Sequence, residues 1–189
     1  DFNLSWAEYL VPAADLSEQL ATPHLEACAT TNMKFALNGA VTIGSKCGAN
    51  LELFERIGAE NAVAFGKSVE EIETLRDYRP WEIAQQNAVL KDVFSFIEQA
   101  LPNFPDGHTV HPLLATLRDS DPFYVLLDFA DYLEKQDLID TIFKDRRRWL
   151  SMSLNSIAHS GWFSSDRMAR QYAQNIWTLE QSKAQDSGL

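Results

Sequence analysis

The stretch Glu26-Ala-Cys-Ala-Thr-Thr-Asn-Met-Lys-Phe-Ala-Leu-Asn-Gly39 organises the rest of the sequence. It predicts a helix of about three turns, with small and hydroxylated residues at its start. Asn38-Gly39 supplies a stop of the kind that tolerates a left-handed backbone. The next segment, Ala40-Val-Thr-Ile-Gly44, is rich in β-branched residues and bounded by glycines, which predicts a buried strand.

A second strand is predicted at Ala62 to Gly66, after a short helix from Leu51 to Ile57 that Gly58 ends. Strand, helix and strand at this spacing are typical of a crossover unit in a parallel sheet. Leu16 to Leu20 has the length of a short buried strand, although its polar residues have low strand propensity.

From Ser68 onward the pattern is helical. Ser68-Val-Glu-Glu71 resembles a capping box, which predicts a helix start. Pro80 suits the first turn of a helix that runs to about Leu101. The apolar stripe predicted for this helix consists of Ile83, Val89, Val93, Phe96 and Ile97.

Two further helices are predicted, from about Asp128 to Phe143 and from Trp149 to Ala158. The fold class is therefore α/β. We expect part of a parallel α/β sheet with the lysine-bearing helix in residues 1–66, and a mostly helical region packed on it in residues 67–189.

Composition excludes several classes of function. The chain has 189 residues, a net charge of −11 and a sequence pI near 4.7. An acidic surface repels nucleic-acid backbones and anionic membranes, so no nucleic-acid partner is expected. No apolar run reaches the roughly 18 residues of a membrane span, and no signal peptide opens the sequence. Cys28 and Cys47 are too few for a disulfide framework, which fits a reducing cytoplasm.

Lys34 is the leading candidate for chemistry. At helical spacing its side chain projects from the same face as the hydroxyls of Thr30 and Thr31 and the first backbone N–H groups. Those N–H groups and the helix dipole attract anions. An amine one turn away, roughly 5 Å along the axis, can hold an aldehyde as a Schiff base while the amides hold a phosphate. Pyridoxal phosphate requires this arrangement. An N-cap followed by a lysine whose stem covers apolar surface is the simpler interpretation of the same residues.

The wider sequence resembles the C-terminal part of the α-glucan (glycogen, starch, maltodextrin) phosphorylases. The resemblance covers essentially the whole chain and includes the strand at Leu16 to Leu20, which it identifies as leading into the active-site loop. It rests on ordered motifs, namely Ala13-Ala-Asp-Leu-Ser-Glu-Gln19, Thr30-Thr-Asn-Met-Lys-Phe-Ala-Leu-Asn-Gly39, Thr42-Ile-Gly44, Gly48-Ala-Asn50, Phe163-Ser-Ser-Asp-Arg167 and Tyr172-Ala-Gln-Asn-Ile-Trp177.

This resemblance implies roles for individual residues. Lys34 would carry pyridoxal 5'-phosphate, and the backbone at Thr30 and Thr31 would hold the coenzyme phosphate. Glu26 would hydrogen-bond the hydroxyls of the transferred glucose, with Ala29 beside it in the substrate site. A first-turn glutamate favoured by the helix dipole is the simpler interpretation of Glu26.

The implied reaction is the phosphorolysis of terminal α-1,4-glucosidic bonds to glucose 1-phosphate, with α-1,4-glucan and inorganic phosphate as substrates. The resemblance further implies a cytoplasmic enzyme that is a homodimer at full length. It identifies Asp1, which is not a methionine, as a position inside a much longer enzyme. We therefore expect a fragment that is inactive alone.

The active-site loop departs from the usual pattern of these phosphorylases. Ala29 and Thr31 replace two glycines, Cys28 replaces serine, Pro23-His24 replaces Ala-Gly, and Cys47 stands where aspartate is usual. Glycine permits close approach of backbone amides to a phosphate, and a β-branched residue does not. A second hypothesis therefore stays open: a catalytically silent homologue that serves glucan binding or oligomerisation.

The remaining polar candidates have simpler explanations. His108 and His111 lack further metal-ligating neighbours, so we expect loop histidines and no metal site. Asp119 and Asp121, beside Pro122, are predicted to cap a helix or turn and not to form an acid/base pair.

Overall fold

A computed structural model describes residues 3–26, 30–103 and 107–179 of the chain. The strands are β1 (Leu16–Gln19), β2 (Val41–Ser45) and β3 (Val63–Phe65). The helices are α1 (Leu4–Ala13), α2 (Thr30–Leu37), α3 (Gly48–Ile57), α4 (Val69–Glu73), α5 (Pro80–Gln86), α6 (Ala88–Ala100), α7 (His111–Asp119), α8 (Val125–Lys144), α9 (Arg146–His159) and α10 (Ser165–Asn175). Short 3-10 turns span Ala59–Asn61, Leu101–Asn103, Gly107–Thr109 and Ser160–Phe163.

The three strands form one parallel sheet in the order β1-β2-β3. Leu16 pairs with Val41, and Ile43 pairs with Val63. Helix α2 connects β1 to β2, and α3 connects β2 to β3, so each crossover contains a helix as parallel pairing requires. The predicted fold class, a parallel α/β unit followed by helices, is confirmed.

The core of the sheet is built with helices from the far end of the chain. Apolar side chains of β2 and β3 pack against α8 and α9 in one buried cluster. Its buried members are Val41, Ile43, Val63, Phe65, Ile139, Ile142, Trp149 and Met152. Every secondary-structure element that the structure describes after Gly66 is a helix or a 3-10 turn, and the division of the chain near Gly66 remains a prediction.

A second core lies within the helical region, where α5, α6, α7 and the start of α8 meet around Phe94 and Leu126. The 20 residues of α8 supply Leu126 to this core and Ile139 to the core of the sheet. A helix of that length is about 30 Å long, which is enough to join the two clusters.

The prediction of a single helix from Pro80 to Leu101 is wrong, because the helix is interrupted at Asn87. Asn87 has extended backbone angles, and its side-chain oxygen accepts a hydrogen bond from Leu90 N at 3.1 Å. This cap begins α6 in a new rotational phase. Leu90 and Phe94 are therefore buried, whereas three residues of the predicted stripe are exposed, namely Val89, Val93 and Phe96.

Helix α8 begins three residues before the predicted start at Asp128, because the buried Asp121 binds its first turn. The Asp121 carboxylate accepts hydrogen bonds from Val125 N at 2.9 Å and Leu126 N at 2.8 Å. Tyr78 donates its hydroxyl to the same carboxylate at 2.5 Å. The predicted capping role of Asp121 is thus confirmed, as is the capping box between Ser68 and Glu71.

Trp162 connects α3 to α10 through contacts of its indole ring. Its indole has the guanidinium carbon of Arg56 at 3.6 Å and that of Arg167 at 3.7 Å from the ring centroid. Two guanidiniums this close to one centroid must lie on opposite faces of the ring, which forms a cation–π sandwich. Indole Nε1 donates to Glu52 Oε1 at 2.7 Å.

Within the described ranges, none of these helices combines the length and the apolar character needed to cross a membrane.

Candidate functional site

Helix α2 begins at the edge of the sheet where the parallel strands end. Thr30 and Thr31 form its first turn, and Lys34 lies in its second. Helices that follow parallel strands begin at the carboxyl edge of the sheet, where ligands of open α/β folds bind. The structure thus brings these three predicted residues together on one helix of eight residues.

Lys34 is exposed on α2. In the part of the chain that the structure describes, its ammonium group has no hydrogen-bond or ion-pair partner. The lysine helix is held by its other face, because Asn32 and Ala36 are buried. The Lys34 side chain therefore lies on the exposed face of α2.

Glu26 is bound to the start of α3. Its Oε2 accepts a hydrogen bond from Ala49 N at 3.0 Å. Gly48, with φ +56°, makes this contact possible, since a Cβ there would lie 1.7 Å from the same oxygen. Cys47 occupies the N-cap position of α3 without a side-chain cap bond. Glu26 therefore supplies the anionic cap that Cys47 does not, and its carboxylate is fixed in place.

The ends of β1 and β2 are joined by a buried polar group of side chains. Asn50 donates its amide to Gln19 O at 3.0 Å and to Ser45 O at 2.9 Å. Its oxygen accepts a hydrogen bond from the amide of Asn32. Neither asparagine is among the candidate residues that the sequence predicts. The signal was present, since each belongs to a motif that carries the resemblance.

The loop after β1 is attached to the end of β2 through Ala21. The carbonyl oxygen of Ala21 accepts from Ser45 Oγ at 2.6 Å and from Cys47 Sγ at 3.2 Å. Burial raises the pKa of the Cys47 thiol above 9.0, so the group acts as a neutral donor. Cysteine in place of the usual aspartate thus binds the loop backbone.

Two of the unusual loop residues have definite backbone conformations. His24 replaces a glycine and has a left-handed backbone, with φ 62°. Thr31 also replaces a glycine, but it lies within α2 and has no positive φ, so a β-branched residue fits there without backbone strain. Cys28 and Ala29 lie outside the described residues, so the predicted substrate contact of Ala29 stays a prediction.

A polar cleft opens beside Glu26 at this edge. Its wall includes Ala21, Thr22, Glu26, Asn32 and Phe123. The Thr22 and Glu26 side chains can hydrogen-bond hydroxyl-rich ligands, and Phe123 adds an apolar surface.

An apolar pocket adjoins the cleft and shares Ala21 with it. Asp128, whose Oδ1 accepts from Lys67 N at 2.9 Å, lies in its wall. Burial raises the pKa of the Asp128 carboxyl, and the charge of the nearby Asp131 raises it further. This group is not predictable from the sequence, because its burial depends on packing between β3 and α8.

Comparison with known proteins agrees with this architecture. The family model described as carbohydrate phosphorylase matches residues 1–179. A glycogen phosphorylase of Synechocystis sp. is 42% identical over 182 residues, covering 95% of this chain and 21% of that protein. The muscle form of human glycogen phosphorylase is 40% identical, covering 97% of this chain and 22% of that protein. An α-glucan phosphorylase, H isozyme, of Vicia faba is 38% identical, covering 97% and 22%.

The chain spans about a fifth of the length of these curated relatives. The family match, by contrast, extends over nearly all of the chain and includes every element of the site. The chain therefore belongs to the carbohydrate phosphorylase family.

Proposed function

We propose that this chain forms part of the active site of a pyridoxal-phosphate-dependent α-glucan phosphorylase. The reaction is phosphorolysis of terminal α-1,4-glucosidic bonds, with inorganic phosphate as the second substrate and glucose 1-phosphate as product. The observation that carries the proposal is the exposed amine of Lys34 one turn after the N-terminus of α2, at the carboxyl edge of the sheet.

The residues present fit the cofactor. A primary amine bonds covalently to an aldehyde, and amides in the first turn of a helix favour a phosphate. Lys34 would hold the aldehyde carbon, and the backbone at Thr30 and Thr31 would hold the phosphate. Thr31, which stands in place of the usual glycine, is helical. The backbone amides of this turn therefore keep their helical orientation. When bound, the cofactor supplies a phosphate group beside the substrate phosphate as an electrostatic or proton-transfer partner.

Glu26 would orient the glucose that is transferred. Its Oε2 is held by Ala49 N, while a carboxylate has acceptor capacity for further hydrogen bonds to sugar hydroxyls. Fixing a carboxylate before substrate arrives reduces the entropy lost on binding. Glu26 and Asn32 line the same cleft, so a sugar held by Glu26 would lie next to α2. Ala29 would contact the same sugar.

The remaining parts of the proposal concern the whole protein. We infer from the family that it acts in the cytoplasm as a homodimer, with α-glucan as its macromolecular ligand. These inferences depend on family membership, and size-exclusion chromatography with light scattering on the longest form of the protein tests the dimer.

The direct test is covalent capture of the cofactor. The chain is incubated with pyridoxal phosphate, reduced with borohydride, digested and mapped by mass spectrometry. We expect the adduct at Lys34 in the wild type and in Lys91→Arg, a control at an exposed lysine on α6, and its loss in Lys34→Arg. In the longest form of the protein, Lys34→Arg should also abolish release of glucose 1-phosphate from glucan.

The same experiment separates the two hypotheses. A folded wild-type chain without an adduct at Lys34 would contradict the cofactor site. That result would favour the silent homologue, in which Ala29 and Thr31 have removed the phosphate site. Restoring glycine at both positions should then recover the adduct.

A further inference from the structure

The buried hydrogen bonds of Asn50 have only one chemically consistent orientation. Gln19 O and Ser45 O lie 3.0 and 2.9 Å from the same side-chain atom, and both are acceptors. The amide nitrogen must therefore face the strands, which leaves the Asn50 oxygen for the amide of Asn32. Asn50 is 0% exposed and Asn32 is 4% exposed, so water does not replace any of these bonds.

Strand β2 makes room for this arrangement at Gly44. A Cβ at Gly44 would lie 2.8 Å from the amide nitrogen of Asn50 and 3.0 Å from its amide carbon. Any larger residue would push the asparagine away from the strand ends. The glycine and the asparagine are therefore matched, although five residues separate them along the chain.

The contact between Asn32 and Asn50 lies on the buried face of α2, which also includes Ala36. Successive residues of a helix are about 100° apart around its axis, so Asn32 and Lys34 are about 200° apart. Asn32 accordingly points into the molecule and Lys34 points out of it, as their burial and exposure show. Whatever holds Asn32 also sets the direction of the Lys34 side chain.

We infer that Asn50 is a positioning residue for Lys34, which acts by holding Asn32 and so fixing the rotation of α2 against the ends of β1 and β2. The inference rests on the proposed function, because it assigns a purpose to the direction of the Lys34 amine. Asn50 itself is fully buried and touches no ligand.

The test compares Asn50→Ala with Asn61→Ala in the chain. Asn61 is a matched control, since it is also buried and donates its amide to Ile57 O at 2.7 Å, at the other end of α3. Two quantities are measured: hydrogen exchange of the α2 amides without cofactor, and borohydride-trapped pyridoxal phosphate at Lys34 relative to the other lysines. The second is a ratio within one sample, so differences in total labelling between samples do not change it, and it is compared only between folded variants.

We expect Asn50→Ala to speed exchange in α2 and to lower the Lys34 labelling ratio, each by roughly tenfold, whereas Asn61→Ala leaves both near the wild type. Asn32→Ala provides a second variant if Asn50→Ala does not fold. It removes the contact to α2 but keeps both bonds from Asn50 to the strands, and the same changes are expected.

Unchanged labelling in a folded Asn50→Ala or Asn32→Ala chain would overturn the inference, even with faster exchange in α2. Unchanged exchange would overturn it as well. A wild-type chain that is not labelled at Lys34 would refute the proposed function instead. In that case the exchange data alone decide whether Asn50 holds α2.

Discussion

Asp121 is the position where a single substitution should unfold the helical region most readily. Its carboxylate is 0% exposed and accepts three hydrogen bonds, from Tyr78 Oη, Val125 N and Leu126 N. These bonds join the segment before α5 to the first turn of α8. Burial raises the pKa of the Tyr78 hydroxyl, and the hydrogen bond to this carboxylate raises it further. Tyr78 therefore stays protonated and remains a donor.

The magnitude for Asp121→Asn follows from which bonds survive. Oδ2 accepts from both Tyr78 and Leu126, and Oδ1 accepts from Val125. An asparagine oxygen in the Oδ2 position keeps two bonds, while its NH₂ group faces the Val125 N–H, donor against donor. Loss of one hydrogen bond to a charged group costs about 1.5 to 3 kcal/mol, and loss of the charge near the helix N-terminus adds about 0.5 kcal/mol. We expect a free energy of unfolding lower by about 2 to 3.5 kcal/mol.

The assay is urea denaturation followed by circular dichroism at neutral pH, with Asp119→Asn as the control. Asp119 has the same chemistry and lies two residues earlier, but its side chain is exposed, so its substitution should change stability by less than about 0.5 kcal/mol. Equal stabilities of the two variants would refute the capping role of Asp121.

Three further predictions concern other parts of the molecule. The raised pKa of Asp128 means that the folded chain binds a proton at this carboxyl more tightly than the unfolded chain does. The protonated carboxyl therefore stabilises the fold below pH 3.8, and this stabilisation is lost as pH rises through the folded pKa. Asp128→Asn should therefore gain stability relative to wild type between about pH 4 and pH 7, and urea titrations at both pH values that show no such gain would contradict the burial argument. Trp162→Ala removes both cation–π contacts and the hydrogen bond to Glu52, so it should lower the free energy of unfolding by about 2 kcal/mol. The control is Trp177→Ala, which replaces an exposed tryptophan. Similar melting temperatures of the two variants would count against the sandwich. His24→Gly removes the steric strain of a side chain on a left-handed backbone and should raise the free energy of unfolding by up to about 1 kcal/mol. His24→Ala keeps a Cβ at this position and should not raise it. A stabilising alanine would show that the φ value costs nothing.

Much of the fold was predictable because its signals are local. β2 was expected at Ala40 to Gly44 and lies at Val41–Ser45, and Gly58 ends α3 as its position indicated. The Pro80 helix was mispredicted because Asn87 caps α6 with its own side chain, and periodicity alone does not distinguish such a cap from a helical residue. The buried face of α6 is shifted by one residue from the predicted apolar stripe, so Leu90 and Phe94 lie in the interior.

The candidate site, too, has a part that the sequence predicts and a part that it does not. Lys34, Thr30 and Thr31 are close because one helix carries them, so sequence spacing was enough to group them. The unusual residues of the loop could be identified from the sequence, but their consequences could not. His24 has a left-handed backbone of the kind that favours glycine, whereas Thr31 is helical.

The sequence by itself therefore determined the parallel crossovers, the lysine-bearing helix and the family to which the chain belongs, because each follows from short local patterns of residues in order along the chain. Only the tertiary structure decided that Asn32 meets Asn50, 18 residues away, and that Glu26 binds Ala49 N, 23 residues away. Both contacts form where β1, β2 and their following segments converge at the carboxyl edge of the sheet. Hydrogen bonds across such distances depend on packing geometry, which no local pattern of residues encodes.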